Sequence, residues 1–575
     1  MSSPTTNIPQ ARRAEDMEPG ADPAAAAGGL SVTERYSLER IAQFREKGWW
    51  TDDHLCDYLD RHADAAPDRA FISDTVLDLT FGEFRDRAYR LAAALRARGV
   101  KAGDRVVVQL PNWSEFGIAY VAISRIGGVT IPAMPIYRRA ELNYIIDISG
   151  AVAAITTGTF RKFDYGEMFA ALAGDCPSLR TTLIARGEPR SGQESFETLT
   201  GPDAGPAPST ADLGPMPSPD AGHLMVFTSG TESKPKGCFH TWNTLGFSAR
   251  GLGYDIFELT PEDRVFMPSP LGHATGLLVG MCMPIVMGAA THVLDVFEPN
   301  SAMERIAAYR CTVTASATPF VRMTLDAYDP ERHDMSSMRF WLSAGAPIPS
   351  TLAAETARAW PTCHLIPLYG CSEVMIGTSC TLSDPVEAVT SSDGRESVDG
   401  VEIRLAEPGT STAVADGEEG ELLYRGPGTL LGYWKDPERT ATALDDEGFY
   451  HTSDLGRRTE TGYIRITGRI KDLIIRGGTN ISALEVEDYI SGHQHVSAVA
   501  CVGFPDERLG EKMCAFVVPA DGAAPTLENL VTYLREERHV APYKLPERLE
   551  IVDELPTTAS GKVQKFELRK QLLPD

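Results

Sequence analysis

Positive charge is scarce in this chain. Its 575 residues carry 54 Lys and Arg against 79 Asp and Glu, a formal charge of −25. Such a surface repels phosphate backbones and anionic lipid, which argues against nucleic acid or a membrane as the main partner. A small anion is still permitted, because one loop or helix terminus can bind phosphate inside a negative field. Paired cysteines are lacking as well: the ten Cys are scattered, with no CxxC. That excludes a disulfide framework and a zinc ribbon and points to a reducing, cytoplasmic setting. No clean apolar span is found either. Residues 265–294 hold no Asp, Glu, Lys or Arg, but Pro268, Pro270, His273, Pro284 and His292 interrupt them. A buried core helix flanked by loops is expected there, not a membrane span. No apolar stretch follows the charges of the first twenty residues, so no secretory signal is expected.

What remains is the balance of a globular protein, 43% apolar and 23% charged. At ~150 residues per domain the length suggests about four domain-sized units, merged into one multi-lobed body plus a further domain. Residues 1–30, rich in Pro, Ala, Gly and Ser, read as a disordered lead-in. Helical patterns (FRDRAYRLAAALRARGV, GIAYVAISRIGGV, ELNYIIDISG) then alternate with short Val/Ile-rich runs (RVVVQL, AVAAITT). That alternation predicts an α/β fold with buried, largely parallel strands. Residues 200–220 are Pro/Gly/Ala/Asp-rich and predict a loop or internal linker. VEIRLAEP through ELLYRGPG predicts a small β subdomain. After GRIKDLIIRGG the pattern becomes α+β, so the expected division is 31–470 for a large N-terminal domain and 471–575 for a small C-terminal one.

Four segments carry chemistry. In MVFTSGTESKPKGCFHTWNT, an apolar run ends in Thr228, Ser229, Gly230 and Thr231, followed by Lys234, Lys236 and Gly237. Hydroxyls, glycine-freed N–H groups and two lysines can cradle phosphate; the alternative is a solvated turn. It is not a Walker A loop, since Pro235 stands where GxxxxGK needs Gly, and Gly561-Lys562 is followed by Val563. Nor is there a dinucleotide fingerprint, because Gly426, Gly428 and Gly432 are spaced GxGxxxG. PLYGCSEVM sets Tyr369, Gly370, Ser372 and Glu373 after another apolar run, an aromatic that could face a base and a carboxylate that could hold Mg²⁺. Asp454 and Arg469 stand fifteen residues apart in YHTSDLGRRTETGYIRITGRIKD, either a ribose-binding Asp with its partner or a hairpin with surface charges. PTTASGKVQK carries Lys562, by itself an exposed lysine.

In this order and spacing the four segments resemble the adenylate-forming superfamily of acyl-CoA synthetases, peptide-synthetase adenylation domains and luciferases, from about residue 40 to 570. The resemblance implies stacked α/β layers with a small mobile C-terminal domain, and the active site between them. It implies that residues 228–237 grip the β- and γ-phosphates of ATP, with Thr228 and Glu373 at Mg²⁺. Gly345, Ala346 and Pro347 of SAGAPIP would form the adenine wall with Tyr369, and Ser372 would meet the α-phosphate. Asp454 matches the ribose-binding Asp, Arg469 the Arg that follows it, Lys471 the hinge and Lys562 the catalytic lysine of adenylation. Gly477 and Gly478 fall in the loop lining the tunnel through which CoA or a carrier-bound thiol arrives, and Arg476 is a candidate for the CoA 3′-phosphate. His273, Ala274, Gly276, Ser343 and Leu368 are expected at the acid pocket.

The phosphate loop departs from the family pattern at Glu232-Ser233, where Thr/Ser-Gly is usual. That variant, with FREKGWWTDD and SPLGHATG, resembles the branch of cyclohexanecarboxylate-CoA ligases and favours a cyclic or aromatic acid over a long fatty acid. Three readings follow. The first is an acid:CoA ligase working through an acyl-adenylate. The second keeps adenylation but changes the acceptor, either a carrier protein or an aryl amine diazotised through adenylated nitrite. The third is a nucleotide-binding pseudoenzyme, opposed by the presence of Glu373, Asp454, Arg469 and Lys562 together.

Overall fold

A computed structural model describes residues 30–228, 235–345, 348–477, 479–520, 525–557 and 563–572. Two eight-stranded sheets form the large domain. The interior of the first is parallel and runs Ala290–Val293, Arg264–Met267, Val313–Ser316, Phe340–Ala344 and His364–Tyr369. The interior of the second runs Thr181–Ala185, Ala153–Thr157, Arg105–Gln109, Val129–Pro132 and Gly222–Thr228, again parallel. These strands are buried along nearly their whole length, which is why they read as continuous apolar runs without alternation. The second sheet ends in antiparallel Lys236–Thr241 and the two-residue strand Gly432–Tyr433.

Helices fill the space between the sheets. Every residue of Ser114–Arg125 is buried, as a helix must be when it is covered on all sides. A Cβ on Gly117 would lie 2.5 Å from Met281, so glycine permits that contact. Phe81–Ala97 starts at a capping box, with Thr80 and Glu83 each accepting the other's backbone N–H.

One sequence expectation needs correction. Residues 265–294 are not one helix flanked by loops: strand Arg264–Met267 leads through a loop to a helix over Ala274–Leu277, Leu278–Cys282 and Met283–Met287, and then to strand Ala290–Val293. The middle segment is a π-turn, and Pro284 is accommodated at the restart of the α-helix. The run lacks charge because it crosses the core. Among the described residues no helix is long and apolar enough to cross a membrane. Residues 200–220 are the expected loop, and it is packed against the body of the domain. Arg125, almost wholly buried, donates to the carbonyls of Thr210 and Gly214 at 2.8 and 2.7 Å, and Arg90 and Arg96 bind those of Gly205 and Leu213.

The β subdomain is the antiparallel sheet Glu402–Ala406, Glu419–Arg425, Tyr450–Arg458 and Ile464–Arg469. Trp49 and Trp50 tie the amino-terminal segment to it and its neighbouring loop, donating to Asp399 and to the Pro427 carbonyl at 3.0 Å each. After the short turn Ile470–Asp472 the chain enters the C-terminal sheet, built on the long pair Val496–Asp506 and Gly510–Pro519. Its helices Ala483–Ser491 and Leu527–Glu536 enclose a separate apolar core.

Candidate active site

Ligands in open α/β sheets bind outside the carboxyl ends of the strands. Here those ends carry Thr228, Ala344 and Tyr369, and around them opens a cavity of about 470 Å³. The β subdomain contributes Tyr450, Asp454 and Arg469 to its walls, the turn after it Lys471, and the C-terminal domain Val563, Gln564 and Phe566.

Thr228 and Lys236 face each other across the antiparallel pair that flanks the phosphate-loop sequence. Among the described residues the buried Thr228 hydroxyl has no hydrogen-bond partner, an arrangement that costs free energy unless another group supplies one. Gly237 lies in the strand that follows, packed against Met225 and Phe227. Ser229, Gly230, Thr231, Lys234, Ala346, Pro347, Gly478 and Lys562 lie outside the described residues, as does Glu232.

The strand His364–Tyr369 runs into a turn closed by Met375, at φ +58°, whose N–H reaches the Cys371 carbonyl at 2.7 Å. A Cβ on Gly370 would stand 2.2 Å from the Met375 oxygen, so only glycine fits. The turn delivers Ser372 and Glu373 to the cavity. His240 donates from Nε2 to the Ser372 carbonyl at 2.8 Å and remains neutral, burial holding it at about 4. Glu373 is 4% exposed. Burial alone would raise its carboxyl; the Lys236 ammonium at 2.6 Å and the Tyr433 hydroxyl at 2.9 Å outweigh that and hold it at about 2. Cys371 lines the same wall, but burial pushes its thiol far up, so it packs and does not attack.

The third segment is a hairpin in which Asp454 and Arg469 are direct cross-strand partners. Asp454, 4% exposed, takes Arg469 Nε at 2.7 Å on one oxygen and the Tyr369 hydroxyl at 2.7 Å on the other. The Asp454 carboxylate in turn raises the Arg469 guanidinium. The hairpin is therefore more than a pair of surface charges. Glu421, buried below it, accepts the Ser453 N–H at 3.0 Å and holds Ser453 at φ +60°.

The acid-pocket residues divide. His273, Ala274 and Leu368 line the cavity, as does Gly345 at φ +88°. Gly276 and Ser343 do not. Gly276 sits where a Cβ would meet the Pro270 carbonyl at 2.0 Å, and Ser343 is in the core, its hydroxyl 2.9 Å from that of Thr318. Leu252, Leu278, Val279, Phe320, Leu342, Met375 and Ile376 form the apolar end instead. Gly477, at φ +59°, donates to the Leu509 carbonyl at 2.6 Å, and Arg476 is bound to Glu547 at 2.7 Å.

Tyr433, Tyr450 and His240 were not foreseen as site residues. Each lies in a segment whose purpose only the register reveals: Tyr433 becomes a neighbour of Lys236 because its two-residue strand pairs with Lys236–Thr241.

A buried ionised carboxylate and an Asp–Arg pair beside a tyrosine thus stand together on one cavity at the ends of parallel strands. Comparison with known proteins names the family. The family described as AMP-binding enzyme matches residues 59–434, and that of the AMP-binding enzyme C-terminal domain residues 485–562. The chain belongs to this family, the adenylate-forming superfamily of AMP-forming acid–thiol ligases. It is 36% identical to a medium-chain fatty-acid–CoA ligase of Escherichia coli K12 over 95% of both chains. It is 32% identical to a salicyl-AMP ligase / salicyl-S-ArCP synthetase of Mycobacterium tuberculosis H37Rv, again over 95% of both. The crystal structure of the anthranilate CoA ligase AuaEII with anthranoyl-AMP shares the fold, with a TM-score of 0.82 at 23% identity over 90% of this chain and 97% of that one. The protein uses ATP to adenylate an acid.

Proposed function

We propose that this enzyme activates a small cyclic or aromatic carboxylic acid and transfers the acyl group to CoA. One observation carries the proposal: a single cavity joins the Thr228, Lys236, Glu373, Asp454 and Arg469 cluster to an apolar end of Leu252, Leu278, Val279, Phe320 and Leu342. The nucleotide would meet the polar cluster, and the carbon skeleton of the acid the apolar residues. A carboxylate is a poor electrophile because its leaving group would be oxide. Its attack on the α-phosphorus of ATP forms a C–O–P anhydride and expels pyrophosphate; a thiol then displaces AMP and forms the thioester.

In this reading Asp454 accepts the ribose hydroxyls while Arg469 and Tyr369 hold it in place. Lys236 and Ser372 meet phosphate oxygens, and Lys562 stabilises charge developing at the carboxylate–phosphate centre. The residues also suit Mg²⁺, which takes one or two carboxylates together with substrate phosphates. Glu373 is ionised, and the Thr228 oxygen has no partner among the described residues. When bound, the ion would neutralise phosphate charge. Lys471 serves as the pivot on which the small domain turns between the two half-reactions, and the glycines 477 and 478 line the thiol's path. The soluble compartment of the cell is the expected site of action.

The alternative acceptor is a carrier-protein thiol. Arg476 favours it, because this candidate for the CoA 3′-phosphate is already bound to Glu547. The test is a comparison of kcat/KM for CoA thioester formation with benzoate, cyclohexanecarboxylate, octanoate and palmitate. The cyclic acids should lead by at least tenfold, about 1.4 kcal/mol. A preference for palmitate would sink the substrate reading, and AMP release without thioester would move the acceptor to a carrier.

A further inference from the structure

Buried Glu373, Tyr433 and Tyr450 form one hydrogen-bonded unit with half-buried Lys236 beside the cavity. The Tyr433 hydroxyl lies 3.0 Å from Lys236 Nζ, 2.9 Å from Glu373 Oε1 and 3.3 Å from the Tyr450 hydroxyl. Proton counting fixes the directions. The Glu373 carboxylate only accepts and the Lys236 ammonium only donates. Tyr433 has a single proton, which it gives to Glu373, so it accepts from both Lys236 and Tyr450. Lys236 thus spends one N–H on Glu373 and one on Tyr433. Tyr433 is itself held in place: it is 5% exposed, its strand pairs with that of Lys236, and its own N–H donates to the Thr440 hydroxyl at 2.9 Å. Its ring lies under the Lys236 ammonium, 4.7 Å from Nζ to the centroid.

We infer that Tyr433 is a positioning residue for ATP: its hydroxyl locks Lys236 and Glu373 into one arrangement and leaves the third N–H of Lys236 for a phosphate oxygen. The inference rests on the nucleotide reading given above. The physical requirement is clear without it, because a long lysine side chain held by one carboxylate alone keeps several rotamers, and each wrong one removes a donor from the phosphates. A second fixed partner, planar and supported by a strand, removes that freedom before the ligand arrives.

Tyr433→Phe removes one oxygen and keeps the ring. The Kd of the β,γ-imido analogue of ATP is measured by calorimetry for the wild type, Tyr433→Phe, Lys236→Met and the double variant, beside each protein's thermal midpoint. Loss of hydrogen bonds to charged partners should raise the Kd of Tyr433→Phe roughly tenfold. Its midpoint should stay within a few degrees of the wild type. The double variant should bind no more weakly than Lys236→Met, because both changes remove the same arrangement. Lys236→Gln takes the place of Lys236→Met in the cycle if the latter does not fold. An unchanged Kd in Tyr433→Phe, or losses that add in the double variant, overturn the inference while leaving the nucleotide reading intact. A wild type that fails to bind the analogue overturns both.

Discussion

Ser453 precedes the buried Asp454 at φ +60°, in the left-handed region that costs a residue with a Cβ about 1–2 kcal/mol relative to glycine. Among the described residues its side chain makes no hydrogen bond that offsets this; the retaining contact is its backbone N–H on Glu421. Ser453→Gly keeps this hydrogen bond and relieves the strain, while the greater freedom of glycine in the unfolded chain takes back part of the gain. The expected net effect is a stabilisation of about 0.5–1 kcal/mol, read as a rise in thermal midpoint with KM for ATP unchanged. A fall in the midpoint would show that the serine side chain holds the turn. Gly370 is the opposite case: its neighbour's carbonyl fills the space a Cβ would need, so the turn that presents Glu373 depends on its having none.

Among the elements, the parallel strands were the most legible in the sequence, because burial on both faces writes a plain apolar run. The helices were nearly as clear, through their 3.6-residue period and capping residues. Asp454 and Arg469 could be singled out by their spacing, but only the hairpin register makes them partners. Tyr433 left no local signal, since a two-residue edge strand has no period to detect. Residues 265–294 misled for a physical reason: a strand, a loop and an interrupted helix that all cross the core look alike in hydropathy. The same core explains four histidines on or beside its strands. His54 is held at about 3, His240 and His292 at about 4, and His223 well below its ordinary value, in every case chiefly by burial. Unfolding returns them to the ordinary value of about 6.5, so the unfolded chain binds protons that the folded one refuses. Their contribution is complete above pH ~7 and is lost as pH falls, by about 1.4 kcal/mol per histidine at pH 5.5. The thermal midpoint should therefore drop between pH 7.5 and 5.5. A midpoint that holds or rises would mean the histidines are not buried as neutral groups.

For the whole molecule, two eight-stranded sheets bring Thr228 and Tyr369 to one cavity, the β subdomain closes it with Asp454 and Arg469, and the C-terminal domain reaches it through Val563, Gln564 and Phe566. The order of these parts along the chain was visible in the sequence; the apolar end of the cavity was not, because its residues come from five separate segments with no shared motif. Within a chain of net charge −25, the cavity gathers the cations Lys236, Arg469 and Lys471, the first two paired with Glu373 and Asp454. In the function proposed above, the cavity joins a carboxylate to the α-phosphorus of ATP. Its most direct test is ATP–pyrophosphate exchange without CoA, with and without each acid of a panel, in the wild type and in Lys562→Ala. Exchange should depend on the acid and fall ~10²-fold or more in the variant, as loss of a positioned charge-stabiliser does. Exchange indifferent to every acid, or undiminished in Lys562→Ala, would contradict it.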